Sequence, residues 1–427
     1  MPQQAFVGID LGTSGVRACA INQAGQVLAE ARRELPASWV PQSGWAEQQA
    51  RDWWQACLQL LDELFHRPEL EIRALSVDGT SGSLLLCHTD GEPLGPALMY
   101  NDARATAQAA LIGTFAPPQA AVHSASSALA KLMWLQNQGM PEGARPLHQA
   151  DWIAGKLLGR FENSDENNAL KLGYDPLERR WPAWMQDSGI DTQILPRVLP
   201  VGSVLGEIAP SLAQRWRCAH PVQVLAGTTD SNAATLASGI DRIADASTAL
   251  GSTLVLKVLA DRPVSAPQFG VYSHRLGEQL WLVGGASNTG GAVLRRHFND
   301  ADIAALSARI DPCEDSGLDY YPLLSPGERF PINDPMLQAR LSPDPGDKTR
   351  FLHGLLEGIA RIELQGYKLL ESLGAPYPAR VLSTGGGALN QTWSRMRESL
   401  LGVPVCAAHQ TQAAYGSARI AAGLKPA

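Results

Sequence analysis

The chain has 427 residues, 45% of them hydrophobic and 18% charged, with a formal net charge of -7. The length exceeds what one hydrophobic core supports and fits two domains of roughly 200 residues each, and the apolar content excludes a disordered chain in spite of the many glycines and prolines. The acidic balance argues against nucleic acid as a partner, which needs a cationic face, but not against an anionic ligand held by backbone N–H groups and a magnesium ion.

Met1-Pro2-Gln3-Gln4 carries no basic segment ahead of the first apolar run, and Asp10 with several glycines interrupts that run, so no signal peptide is expected. Residues 5–10 read as a strand, Gly12-Thr13-Ser14-Gly15 as a turn, and 16–21 as the returning strand. A third strand over 27–35 completes a β-meander whose first turn is of a size to cradle a phosphate. Across 46–65, Trp53, Trp54, Cys57, Leu58, Leu61, Leu64 and Phe65 recur at spacings of three and four. That spacing predicts an amphipathic helix with the tryptophans in its core stripe. Residues 72–77 predict a strand ending in Asp78-Gly79-Thr80-Ser81-Gly82, and 84–87 another.

From there strands alternate with helices, which places the chain in the α/β class. Residues 117–199 read mostly as helix and loop, with helical spacing at 131–137 and 151–158. A strand over 222–226 runs into Gly227-Thr228-Thr229-Asp230 and a small-residue helix over 232–238. Near Asp245 a second meander begins: strand 246–250, turn Gly251-Ser252-Thr253, return 254–259. It repeats the opening of the chain, which suggests two related α/β domains that each present a Gly/Ser/Thr hairpin. A long helix over 350–373, a strand over 381–383, the run Gly385-Gly386-Gly387-Ala388, a helix over 391–401, a strand over 403–407 and a closing helix over 412–422 complete the chain.

The six cysteines, Cys19, Cys57, Cys87, Cys218, Cys313 and Cys406, form no CxxC pair and mostly sit in apolar runs. They read as buried free thiols in a reducing compartment. No run of about 20 apolar residues occurs. A cytoplasmic protein is expected, and monomer and homodimer are both compatible with the sequence.

Several segments carry chemistry. Asp10 ends an apolar strand, where a carboxylate is costly unless paired, and Gly12, Thr13, Ser14 and Gly15 follow with N–H groups that can face an anion. The pair suits a magnesium–phosphate complex, with a locally satisfied tight hairpin as the plain alternative. Neither GxGxxG nor GxxxxGK[ST] occurs. Ser81, in the hydroxyl-rich turn after Asp78, could bind a polyol; a capped turn would look the same. Asp230, between a Gly-Thr-Thr turn and a helix, could act as a base or only as a helix cap. Gly251, Ser252 and Thr253 repeat the phosphate hairpin, and the glycines at 385–387 permit close backbone approach to a nucleotide.

Taken together, Gly8-Ile9-Asp10-Leu11-Gly12-Thr13-Ser14-Gly15, Trp45-Ala46-Glu47-Gln48, Tyr100-Asn101-Asp102-Ala103-Arg104, Gly227-Thr228-Thr229-Asp230, Leu250-Gly251-Ser252-Thr253 and Gly385-Gly386-Gly387-Ala388-Leu389-Asn390 resemble the FGGY carbohydrate kinase family, in the family's order and over nearly the whole chain. The resemblance implies a two-lobed ribonuclease-H-like fold, shared with actin, hexokinase and the heat-shock ATPases, with ATP and sugar meeting in a central cleft. It implies a first, sugar-binding lobe over 1–237 and a second, nucleotide-binding lobe over 238–410, with the last helix, 411–427, returning to the first. By position it makes Asp10 the magnesium-organising carboxylate, Thr13 the first phosphate contact and Asp230 the catalytic base. Asp10, Ser81 and Asp230 then face the sugar. Gly12 to Gly15, Gly251, Ser252, Thr253, Gly290, Gly385, Gly386 and Asn390 face the nucleotide.

Two departures stand out: the chain is shorter than most members, and Tyr100 stands where many carry Trp. Among compact members, the cyanobacterial and plant D-ribulose kinases share Asp78-Gly79-Thr80-Ser81-Gly82, Asn168-Ala169-Leu170-Lys171-Leu172-Gly173-Tyr174, Gly284-Gly285-Ala286-Ser287-Asn288 and Gly317-Leu318-Asp319-Tyr320-Tyr321-Pro322-Leu323. The implied activity is phosphorylation of a ketopentose by ATP, D-ribulose first, with D-xylulose, L-ribulose or another small polyol as alternatives. A non-catalytic nucleotide-binding scaffold and a sugar sensor are the alternatives of another class.

Overall fold

The computed structural model describes residues 2–424 and 426. Their contacts divide into two units. One holds residues 2–237, His274–Glu278 and 412–424; the other holds Ser238–Ser273, Gln279–Thr411 and residue 426.

The first unit is built on a six-stranded sheet. Gln3–Leu11, Gly15–Ile21 and Val27–Glu34 form the antiparallel meander. Leu70–Gly79 and then Gln223–Thr229 add in parallel beside the first strand, and Val204–Glu207 closes that edge. Residues 7–11 are all buried, as in strands covered on both faces. Helix Ala50–Phe65 turns Trp53, Cys57, Leu60, Leu61 and Leu64 into the same core.

That helix begins four residues later than its spacing predicts. Glu47–Gln48 instead form a short strand against Ala97–Leu98. Gln48 Nε2 donates to Thr13 O at 2.7 Å, and Glu47 accepts from Arg104 NH2 at 2.7 Å. Those buried bonds outweigh local helix preference. The 117–199 region likewise holds short strands, Arg145–His148 and Asn163–Asp165, that periodicity did not reveal. The closing helix, Ala413–Ala421, lies against the first strand backbone to backbone: a Cβ on Gly8 would stand 2.0 Å from Ala414 O. Only glycine allows that approach.

The second unit repeats the plan. Asp245–Leu250, Leu254–Ala260 and Trp281–Ser287 form an antiparallel meander, and Arg380–Thr384 and Val405–Ala407 add in parallel beside its first strand. The repeat seen in two hairpins is therefore a repeat of whole sheets. The last strand starts at Val405, two residues later than read from the sequence; Pro404 has no N–H to give a ladder. Helix Lys348–Ser372 buries Leu352, Leu355, Leu356, Ile359 and Ile362 in this core.

All six cysteines are free, but the expectation that they are buried holds for only part of them. Cys19, Cys57 and Cys87 are buried, Cys218 is half-buried, and Cys313 and Cys406 are exposed. Cys406 lies on the strand Val405–Ala407, which is the edge of its sheet among the described residues.

Candidate active site

Three parallel neighbours in the first sheet end side by side. In their register Asp10 lies beside Asp78, and Asp78 beside Thr228, two residues before Asp230. Asp10 is 6% exposed and Asp78 fully buried. Arg17 NH1 donates to Asp10 Oδ2 at 3.3 Å, and Ser417 Oγ, from the closing helix, donates to Asp78 Oδ2 at 2.5 Å. Burial pushes the Asp10 carboxyl up, against the hydrogen bond from Asp78 and the charge of Arg17. Burial pushes Asp78 well above the usual carboxylate range; the Asp10 charge adds to this, Ser417 opposes it, and Asp230 adds again. The two carboxyls cannot both ionise cheaply side by side.

Asp230 opens helix Asp230–Ala237, two residues earlier than its spacing predicts, and its Oδ1 accepts the Ser231 N–H at 2.7 Å. The turn before it is held from one side: Thr228 Oγ1 accepts from Asn167 Nδ2 at 2.9 Å and from Asn232 Nδ2 at 3.3 Å.

The Gly12–Gly15 turn is closed by Gly12 N–H donating to Gly15 O at 3.0 Å. Gln48 grips the Thr13 carbonyl from outside. Thr13 is half-buried, and Ser14 is exposed at the tip. In the turn after Asp78, Gln149 Oε1 accepts from Thr80 N at 3.0 Å and Thr80 Oγ1 at 2.8 Å, and Thr80 Oγ1 also meets Ser83 Oγ at 2.5 Å. Thr80 and Ser83 are thus spent on the turn itself, and half-buried Ser81 is the hydroxyl it leaves over. Around these strand ends His148 Nε2, Gln149 Nε2, Asn167 Oδ1 and Asn168 Oδ1 are buried with no partner. Each such group costs about 1–3 kcal/mol unless a ligand meets it. Their concentration here fits a polar, hydroxyl-bearing ligand.

Among the described residues no three His, Cys, Asp or Glu side chains are placed to hold a metal by themselves. Magnesium does not require that, since it binds through one or two carboxylates together with phosphate and water. The Asp10–Asp78 pair, short of positive charge and with Asp78 Oδ1 lacking a donor, fits such an ion.

The second unit contains a cavity of ≈ 790 Å³ lined by Gly251, Ser252, Gly386 and Asn390 from the sequence-predicted set, with Arg295 and Ile303 among the other walls. Gly290 and Gly385 do not line it; they bring its walls together. A Cβ on Gly290, at φ 145°, would stand 2.7 Å from Ser252 O, and one on Gly385, at φ 81°, 2.6 Å from Leu250 O. Gly291 N–H donates to Gly251 O at 2.8 Å, which pins the hairpin. Thr253 leads into the returning strand and lies outside the lining. Asn390 caps helix Gln391–Leu401 through Oδ1 on Trp393 N at 3.0 Å, and its Nδ2 donates to Ser307 Oγ at 2.8 Å, so both ends of its amide are engaged.

Sequence reasoning missed Arg17, Gln149, Asn167 and Ser417. Arg17 had a signal, a cation seven residues past Asp10 on the returning strand. Gln149, Asn167 and Ser417 had none, because their partners lie 69, 61 and 339 residues away.

Both halves match models of one family. Residues 5–237 match the N-terminal domain of the FGGY family of carbohydrate kinases, and residues 246–423 its C-terminal domain. Xylulose kinase of Escherichia coli is 26% identical over 417 residues, 93% of this chain and 85% of that protein. Glycerol kinase of Gloeobacter violaceus is 28% identical over 449 residues, 98% of this chain and 88% of that protein. In fold, the crystal structure of a xylulose kinase from Rhodospirillum rubrum superposes with a TM-score of 0.87 at 23% identity, covering 98% of this chain and 89% of that one. The chain belongs to the FGGY family of carbohydrate kinases, enzymes that pass a phosphoryl group from ATP to a sugar hydroxyl.

Proposed function

We propose that this kinase phosphorylates a ketopentose on its terminal hydroxyl, that the first unit binds the sugar and that the second binds ATP. The observation that carries the reading is the meeting of Asp10, Asp78 and the Asp230 turn at three adjacent strand ends, beside a turn whose spare hydroxyl is Ser81. Asp230 takes the proton of the attacking hydroxyl. It needs no raised pKa, since the transition state is loose and the proton leaves late. Ser81 and Asp10 orient the sugar. The backbone of Gly12–Gly15, with Thr13, and the Gly251-Ser252-Thr253 hairpin receive phosphate oxygens. The cavity of the second unit takes the nucleoside, with Gly386 and Asn390 in its wall. Asp10 is the carboxylate that would organise magnesium, which when bound with the nucleotide neutralises charge on the transferring group.

D-ribulose is the first candidate, on the strength of the runs 78–82, 168–174, 284–288 and 317–323. D-xylulose is the second, favoured by the xylulose kinases among the relatives. They differ in the orientation of one hydroxyl, which a hydrogen-bonding site can discriminate strongly. The test is ADP release with magnesium-ATP against D-ribulose, D-xylulose, L-ribulose, pentitols and glycerol. D-ribulose should give the highest kcat/KM. A clear preference for D-xylulose would replace the sugar, and a preference for glycerol would overturn the pentulose reading.

A further inference from the structure

Helix Ala128–Asn137 carries a lysine on its buried face. Lys131 is 0% exposed, within the run Ala128-Leu129-Ala130-Lys131-Leu132-Met133 that is otherwise apolar and buried. Removing an ammonium from water is costly unless its protons are met. Two of them are. Lys131 Nζ donates to Gly82 O at 2.8 Å and to Met99 O at 2.6 Å.

These carbonyls belong to different segments, each with its own anchor. Gly82 lies inside the Thr80–Ser83 turn, one residue after Ser81. Gly82 itself has φ +87°, and a Cβ there would press on Ser126 O and the Lys171 side chain. Met99 precedes Tyr100-Asn101-Asp102-Ala103-Arg104. Asp102 Oδ2 accepts the Ala46 N–H at 2.7 Å. Arg104 NH2 donates to Asp102 and to Glu47, both at 2.7 Å, and its guanidinium lies 3.5 Å over the Trp45 ring. The 45–48 and 99–104 segments are therefore one rigid block. Lys131 Nζ ties this block to the Ser81 turn through side-chain hydrogen bonds, beside the backbone pairing of Leu84 with Leu98. The charged groups around it are Asp102, which favours its charge, and Lys171 and Arg104, which oppose it.

We propose that Lys131 is a positioning residue for sugar recognition: it sets the Ser81 turn against the Tyr100–Arg104 block and so fixes the sugar-contacting hydroxyl of Ser81. It touches no reacting atom. The inference rests on the reading of Ser81 as a sugar contact. A misplaced contact of about 1 Å can cost on the order of 10²-fold in rate, and a loosened turn should blur the choice between hydroxyl epimers before it harms nucleotide binding.

The experiment compares wild type with Lys131→Met, which keeps length and apolar bulk but has no donor, and Lys131→Gln, which keeps an amide donor on a shorter chain. For the pentulose that wild type turns over best, Lys131→Met should raise the sugar KM about tenfold or more, with Lys131→Gln between. The KM for ATP should stay within about twofold, and the kcat/KM ratio between D-ribulose and D-xylulose should move toward one. An unchanged sugar KM and epimer ratio in a folded variant would overturn the proposal. So would an equal rise in both KM values, or failure of both variants to fold, since each marks Lys131 as a general structural residue. A wild type inactive on every pentulose would instead defeat the functional reading itself, and this inference with it.

Discussion

Asp230 can be a base or a helix cap, and one substitution separates the roles. The Asp230 carboxylate accepts the Ser231 N–H, and an Asn oxygen can accept the same bond. Asn also caps a helix about as well as Asp. Asp230→Asn should therefore fold, melt and bind ATP nearly as wild type does. It cannot take a proton from the attacking hydroxyl, a function typically worth about 10²–10⁴ in rate. Initial-rate phosphorylation by the folded variant is the measurement. Turnover within about twofold of wild type would leave Asp230 as a cap only. Asp10 and Asp78 are poorer probes of a single role, because each changes the charge state of the other.

Among the elements, the long helix Lys348–Ser372 shows how polar groups are handled in the second core. Arg397, fully buried on helix Gln391–Leu401, donates to Glu363 at 2.5 and 2.7 Å and to Ser383 Oγ at 2.8 Å. Thr248 Oγ1, in the strand leading to the Gly251 hairpin, donates to Glu363 at 2.6 Å. The pair thus locks two helices to two strands. Removing one member of a buried, hydrogen-bonded ion pair costs about 3–5 kcal/mol, because the other charge is left uncompensated. Arg397→Met should lose stability of that order in urea titration, and Glu363→Gln combined with Arg397→Met should recover part of it. A single variant as stable as wild type would mean the pair contributes nothing net.

For the molecule as a whole, two groups, one in each unit, should answer pH at opposite ends. Burial pushes Asp245 up, but the Arg380 guanidinium and the N–H groups of Asp241 and Arg242 outweigh it and bring the carboxyl down to about 2 from an ordinary 3.8. The unfolded chain takes up that proton first, so this stabilisation is present above about pH 4 and lost as pH falls toward 2. Lys131 behaves in the reverse sense. Burial pushes its ammonium down to about 7 from 10.5, with Asp102 opposing. Between those values the unfolded chain holds the extra proton, so the first unit gains stability as pH rises from about 7 to 10.5. Calorimetry across pH should find the acid loss flattened in Asp245→Asn and the alkaline gain flattened in Lys131→Met. With two units, the transitions are to be resolved separately and not forced into one. An alkaline gain of full size in Lys131→Met would assign it to another group.

Local periodicity and short motifs were enough to place most of the regular elements. Apolar runs gave the three strands of the first meander and the first two of the second, though not Trp281–Ser287; spacings of three and four gave helices Ala50–Phe65 and Lys348–Ser372 to within a few residues, and the Gly/Ser/Thr turns disclosed the repeat of the two units. At Glu47–Gln48 and Val403–Pro404 a buried partner or a missing N–H overrode spacing, the short strands Arg145–His148 and Asn163–Asp165 went unread, and Cys313 and Cys406 are exposed where burial was expected. The tertiary structure alone decided which groups meet. Asp10 lies beside Asp78 because strands 68 residues apart in sequence pair in parallel, and Ser417 reaches Asp78 because Gly8 lets the last helix seat against the first strand. The lysine among apolar residues at 131 was visible as an anomaly, but its meaning was not. A buried ammonium is defined by the carbonyls that meet it, and those of Gly82 and Met99 come from segments 49 and 32 residues away, brought to one point only by the packing of the fold.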